Sequence, residues 1–305
     1  MSTLNPTPAP DLQRILQTAQ LPALPQSAIK LLELSQDPEN GPAEFAVPIE
    51  ADPGLAGQVL RFVNSSYFGF SREIGSVKMA ITLVGIRTIK NFSLWSAVFS
   101  LMPNPKCGPF DLKSLWQDSL RRGLFARAMG KLLGVKEAEE AFSGALLQDM
   151  ALPLLAKELP KEYLSLLLSR EEGFRLSDLE QQRFGWNHAQ AAARMARMWK
   201  MPETFARLLE RHVLPPVAAP GSPAEMLDTA VSLSALLPST SDRAWRECGQ
   251  FETAYNELRR VRGPTAPEML VRVDQEFSDF APVLKLAAPT KTLLAWYEES
   301  LAAMA

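Results

Sequence analysis

The chain has 305 residues, 47% of them hydrophobic and 22% charged, which is the composition of a folded globular protein and excludes wholesale disorder. Its 32 basic side chains nearly balance 34 acidic ones, and the net charge of -2 provides no global field for nucleic acid or an acidic membrane. Two widely separated cysteines, Cys107 and Cys248, match no metal or redox spacing and read as reduced thiols of a cytoplasmic protein.

Met1 to Pro10 has no basic residue and no apolar run, so it does not read as a signal peptide. Pro6, Pro8 and Pro10 mark residues 1–20 as a short extended leader. After it the period is helical. Ile29, Leu32, Leu34 and Phe45 belong to two short amphipathic segments, broken near Asp37-Pro38 and Asn40-Gly41. Asp52-Pro53 is a helix start, because Asp caps free amides and proline at the first helical position gives up no needed donor. Leu55, Val59, Leu60 and Val63 follow as one apolar stripe. Asn64 to Gly69 reads as a break, and Ser76 as the cap of a helix through Met79, Leu83 and Val84.

Met102-Pro103-Asn104-Pro105 stops helix continuation and sets the first internal boundary. Beyond it the pattern predicts helices over 112–133, 137–149, 161–168, 188–199 and 203–213. Pro215, Pro216, Pro220 and Pro223 set a second boundary, and Ser222-Pro223-Ala224-Glu225 is a capping box opening a C-terminal helical region. Apolar runs such as Met79–Ile86 and Ala141–Leu147 are too short to span a bilayer. With no strand alternation, repeat or heptad, the expected fold is all-α. The expected parts are the leader 1–20, a helical unit over 21–105, a second over 106–220 and a C-terminal helical extension over 221–305.

Several segments resemble the HDOD domain family, helical signalling proteins related to HD-type metal phosphohydrolases. Leu21-Pro22-Ala23-Leu24-Pro25 is similar to the family's proline-containing opening. Asp52-Pro53-Gly54-Leu55, with Leu60, Val63 and Asn64-Ser65-Ser66-Tyr67-Phe68-Gly69, resembles its most distinctive block. Ile74, Ser76, Val77, Ala80, Ile81, Leu83 and Gly85 continue the pattern. So do Leu115-Trp116, Ser119-Leu120, Gly144-Ala145-Leu146-Leu147, and Trp199 with Met201-Pro202-Glu203. The likeness covers about residues 21–215 and implies an N-terminal helical bundle packed on an HD-like one. As a helix exit, the Asn-Ser block needs no function beyond turn packing. As a recognition surface it offers Asn64, Tyr67 and Phe68 to a partner.

The resemblance also implies a ligand set for a metal that activates water toward a phosphoester. The position of one family histidine is Asp118 here, and the adjacent His-Asp pair reads Gln148-Asp149. Gln148 is a poor ligand, and a following Gly-Lys becomes Ala151-Leu152, with Pro153 forbidding a smooth helix. His188 and His212, the chain's two histidines, match two later positions, while a final aspartate aligns with Ala235. Catalysis therefore loses its default standing, and the HD-like unit reads as degenerate. Asp118, Asp149, His188 and His212 remain a two-carboxylate, two-imidazole set for a single Mn, Fe or Zn ion. Interhelical hydrogen bonding is the plainer reading of the same histidines.

Arg121, Arg122 and Arg127, Arg194 and Arg197, and Arg207 and Arg211 recur at helical spacing. They read as a solvated face supported by Glu171, Glu172, Glu203 and Glu210, with a phosphate pocket as the sharper alternative. Arg259-Arg260-Val261-Arg262 reads as a helix end before Gly263-Pro264, and Met195, Met198 and Trp199 as core. The expectation is a non-enzymatic regulatory module acting through a regulatory protein partner, with no nucleic acid and no membrane. The alternatives are a divergent metal-dependent phosphodiesterase or nucleotide phosphohydrolase, or a sensor that binds a nucleotide or cyclic di-nucleotide without cleaving it.

Overall fold

A computed structural model describes residues 10–19, 21–171, 174–259 and 263–304. Pro6, Pro8, Glu172, Arg260, Val261 and Arg262 fall outside the described residues. Within them the chain is all-helical, with no strand.

The first helices are α1 (Leu12–Thr18), α2 (Gln26–Leu34), α3 (Pro42–Glu50), α4 (Pro53–Val63), α5 (Val77–Val84) and α6 (Ile86–Leu101). Side-chain oxygens fix several starts. Asp52 accepts the amide of Leu55 at 3.0 Å on one oxygen and the hydroxyl of Ser27 at 3.0 Å on the other, so one carboxylate caps α4 and ties it to α2. Ser76 caps α5 through the amide of Met79 at 3.2 Å. Gly85 has φ +93° and serves as the last cap of α5 and the first of α6, a conformation that a side chain strains. The periodicity leaves α6 unassigned because residues around its whole circumference are buried, including Asn91, Phe92, Ser93, Leu94 and Trp95.

The central helices are α7 (Leu112–Leu133), α8 (Ala138–Leu147), α9 (Leu152–Glu158), α10 (Pro160–Glu171), α11 (Leu176–Phe184), α12 (His188–Met198) and α13 (Glu203–Arg211). Asp111 caps α7 through the amide of Ser114 at 2.8 Å, and Gly134 closes it in the left-handed conformation. Pro153 falls in the first turn of α9, where its ring meets no preceding helix. Gly144 of α8 lies against α13 so closely that a Cβ there would come within 2.9 Å of the Leu208 side chain.

The last helices are α14 (Pro223–Ser234), α15 (Cys248–Leu258), α16 (Ala266–Phe280) and α17 (Leu293–Met304). Ser222 and Glu225 form the expected capping box at α14. Helices α14 and α16 both pack on α7, and one cluster of buried apolar side chains runs from Leu12 to Tyr297. The C-terminal segment is also tied to α7 by polar bonds. Gln117 donates to the carbonyl of Ala287, and buried Arg121 donates to that of Lys291 and lies 3.6 Å from Asp274.

The basic face divides. Arg197 fits a solvated reading, pairing with Glu203 and Glu210 at the surface. Arg121, Arg122 and Arg127 do not, for all three are buried. Arg127 lies between Glu276 and the rings of Tyr67 and Phe142. Met195 and Trp199 are core as expected, whereas Met198 stands 50% exposed.

Candidate functional site

Three of the four residues expected around a metal meet at helix ends. Asp149 lies just past α8, His188 is the first residue of α12, and His212 follows the last turn of α13. Nε2 of His188 is 3.2 Å from Nε2 of His212 and 3.4 Å from a carboxylate oxygen of Asp149, and His212 Nε2 is 3.7 Å from that same oxygen. All three side chains are buried.

Each imidazole is oriented from behind. Nδ1 of His188 lies 2.6 Å from Glu180, which also accepts the His188 amide at 2.8 Å and the Tyr163 hydroxyl at 2.6 Å. Nδ1 of His212 lies 2.7 Å from the carbonyl of Leu209. A ring nitrogen held by a carboxylate or a carbonyl leaves the other facing inward, which is how metal-ligating histidines are usually positioned. Glu180 and Tyr163 escaped the sequence reading, because a carboxylate eight residues before a histidine in another helix follows no short-range spacing.

Charge in the cluster is unevenly shared. Burial alone would lower the pKa of His188, but Glu180 and Asp149 outweigh it and raise the value to about 9. Burial and the neighbouring His188 charge push His212 down to about 3. Asp149 is held well below the usual carboxylate range despite its burial, chiefly by the guanidinium of Arg122, which bonds its other oxygen.

The donor set fits one ion. Tetrahedral Zn–N and Zn–O bonds of about 2.0–2.2 Å place neighbouring donors about 3.3–3.6 Å apart, close to the edges of this triangle. Asp149, His188 and His212 would hold such an ion. Among the described residues a second ion has no comparable set, because Arg122 occupies the oxygen through which Asp149 would bridge and Gln148 and Ala235 stand where further ligands are expected.

Asp118 is a correction to the expected ligand set. Its carboxylate accepts the Ser239 hydroxyl at 2.6 Å, the Thr240 amide at 2.9 Å and the Thr240 hydroxyl, so its lone pairs are taken up by the loop after α14. Burial pushes its pKa up against the opposing effects of Arg122, Ser239 and Thr240. The same loop is fixed by Asp242, which accepts the Ser239 amide at 2.7 Å and pairs with Arg170 at 3.0 Å.

Asn64 is exposed and Tyr67 and Phe68 are half-buried, and all three also make contacts within the fold. The Asn64 amide exchanges two bonds with the backbone of Ile74, at 2.7 and 2.9 Å, closing the turn between α4 and α5. Phe68 meets the edge of Phe62, and Tyr67 packs on Phe280 and under Arg127.

A cavity of about 290 Å³ opens over the cluster. Arg122, Gln148, Asp149, His188, His212 and Ala235 line its inner part. Of the arginines expected at a basic face, Arg122 alone lines it among the described residues. Its other basic groups are Arg170 in the last turn of α10, Arg175 at the start of α11, and Arg243 and Arg246 in the segment before α15, with no shared helical spacing to reveal them.

The HDOD domain family matches residues 21–215. The fold is similar to that of an HDOD domain protein of unknown function from Geobacter sulfurreducens, with a TM-score of 0.67 and 19% identity over 90% of this chain and 97% of that one. It is similar also to a Shewanella amazonensis protein assigned as a phosphohydrolase, with a TM-score of 0.66 and 20% identity over 88% and 97%. A Marinobacter aquaeolei protein assigned to signal transduction gives a TM-score of 0.62 and 20% identity over 98% and 62%. An uncharacterised protein of Treponema pallidum (strain Nichols) is 21% identical over 194 residues, 63% of this chain and 37% of that relative, so the match spans well under half of that longer protein. No helix among the described residues is long and apolar enough to cross a membrane.

Proposed function

The chain belongs to the HDOD domain family, and from that premise we propose that it is a non-enzymatic regulatory module whose hydrolase-like scaffold serves recognition. The observation that carries this reading is Arg122 on Asp149. Phosphoester hydrolysis of the HD type needs a carboxylate free to bind metal and a coordination sphere with room for the attacking water. Here one carboxylate oxygen is taken by an internal cation, and Gln148 and Ala235 supply nothing in place of the expected ligands. An ion on Asp149, His188 and His212 would supply Lewis acidity, but this chain's residues use the cluster mainly to join the ends of three helices. The module would act on a regulatory protein partner from the cytoplasm, through a change in how its helical parts pack.

Protein purified without chelator, analysed for metal and assayed with bis(p-nitrophenyl) phosphate in the presence of Mn²⁺, Fe²⁺ or Zn²⁺, tests the proposal. The expected result is at most one ion per chain and no turnover above buffer. Multiple turnovers that vanish on Asp149→Asn would overturn it.

A further inference from the structure

We propose that the cavity over the Asp149–His188–His212 cluster binds one phosphorylated nucleoside; this rests on the non-catalytic reading of the same site. Three observations converge on it. The first is an unsatisfied polar group. Gln148 is fully buried and lines the cavity, yet neither its amide nitrogen nor its amide oxygen has a partner among the described residues. Nε of Arg122, beside it, has none either. Buried polar atoms are nearly always paired, and a glutamine needs both a donor and an acceptor. Inorganic phosphate offers mainly acceptors. A ligand that meets both needs carries hydroxyl or ring N–H groups as well.

The second is charge. Arg122 and Asp149 pair, as do Arg170 and Asp242. Arg175 and Arg246 against Glu247 add a surplus of guanidinium to the lining, suited to phosphate oxygens. The third is size and shape. About 290 Å³ lies at the lower edge of ordinary ligand pockets and suits one nucleotide rather than a cyclic di-nucleotide. Phe174, 59% exposed among the lining residues, offers a ring face for a base. The phosphate would sit with the arginines and the nucleoside would reach Gln148.

The full chain is titrated with AMP, GMP, CMP and UMP, with inorganic phosphate, the four nucleosides and cyclic di-GMP as comparisons, and each sample is chromatographed afterwards. At about a hundred times the dissociation constant, at least one mononucleotide should raise Tm by roughly 3–8 °C. The nucleosides, phosphate and cyclic di-GMP at the same concentration should fall well short of that. Gln148→Met should weaken binding at least about tenfold without lowering the Tm of the free protein, and Arg175→Glu with Arg246→Glu should do the same through the phosphate. Flat melting curves across the mononucleotides would overturn the proposal and leave the non-catalytic reading standing, as would an equal response to inorganic phosphate or to cyclic di-GMP. Conversion of a bound nucleotide would overturn the non-catalytic reading and leave the binding site standing.

Discussion

Asp118 and Gln148 are both buried polar groups expected near a metal, and they have opposite surroundings. Asp118 takes three hydrogen bonds from Ser239 and Thr240, and the loop that supplies them is anchored again by Asp242 and Arg170. Gln148 has no partner for either amide atom among the described residues and faces a cavity. A buried polar group with every bond made is part of the scaffold, and one with none made is a cost that selection tolerates where something is to be bound. Alignment with a family ligand position does not separate the two; the count of satisfied bonds does. Arg122 stands between them, one helical turn beyond Asp118 on α7 and bonded to Asp149 beside Gln148.

Removing that shared cation should have the largest effect. Arg122→Met leaves Asp149 buried with only His188 to compensate it, and urea denaturation should show a loss of about 3–5 kcal/mol. A loss below about 1 kcal/mol would mean the pair is not the lock we take it to be. Asp118→Ala acts on the satisfied side alone. It strands the Ser239 and Thr240 donors and should cost about 2–4 kcal/mol, with amide exchange of residues 238–242 accelerated most. Uniform acceleration over the whole chain would break the assignment of Asp118 to that loop.

How far the sequence carried this contrast depends on the range of the interactions. Helix starts at Asp52, Ser76 and Ser222 were legible because a cap bonds an amide two or three residues away. The meeting of Asp149, His188 and His212 was legible only through family resemblance, since three helix ends come together there. Glu180 behind His188, the loop around Asp118 and the arginines at 170, 175, 243 and 246 were not legible at all. Glu180 reaches His188 across the turn between two helices, and the others reach their places by packing across tens of residues. At exposed Asn64 the Asn-Ser context did not reveal two bonds to Ile74 ten residues on.

That turn supplies a smaller test of the same rule in the N-terminal helices. Asn64→Ala should lose about 1–2 kcal/mol, as expected when one side chain satisfies a backbone amide and a carbonyl. Tyr67→Ala should also destabilise the protein, because the ring packs on Phe280 and Arg127 instead of awaiting a partner. A Tyr67→Ala protein of unchanged Tm would favour the recognition-surface reading over the packing one.

The smallest expected change is the most discriminating. Gln148→Met replaces an unpartnered amide with an apolar chain of similar length, so it removes no bond from the folded protein and relieves a desolvation penalty. Stability should stay within about 1 kcal/mol of the parent, and a gain is the favoured sign. The same substitution at a satisfied site would cost several times as much, as Asp118→Ala is expected to show. If Gln148→Met instead destabilises by more than about 2 kcal/mol, the amide already has partners in solution and is one more bond of the scaffold. If it leaves stability intact, the polar group is held for something the free chain does not contain.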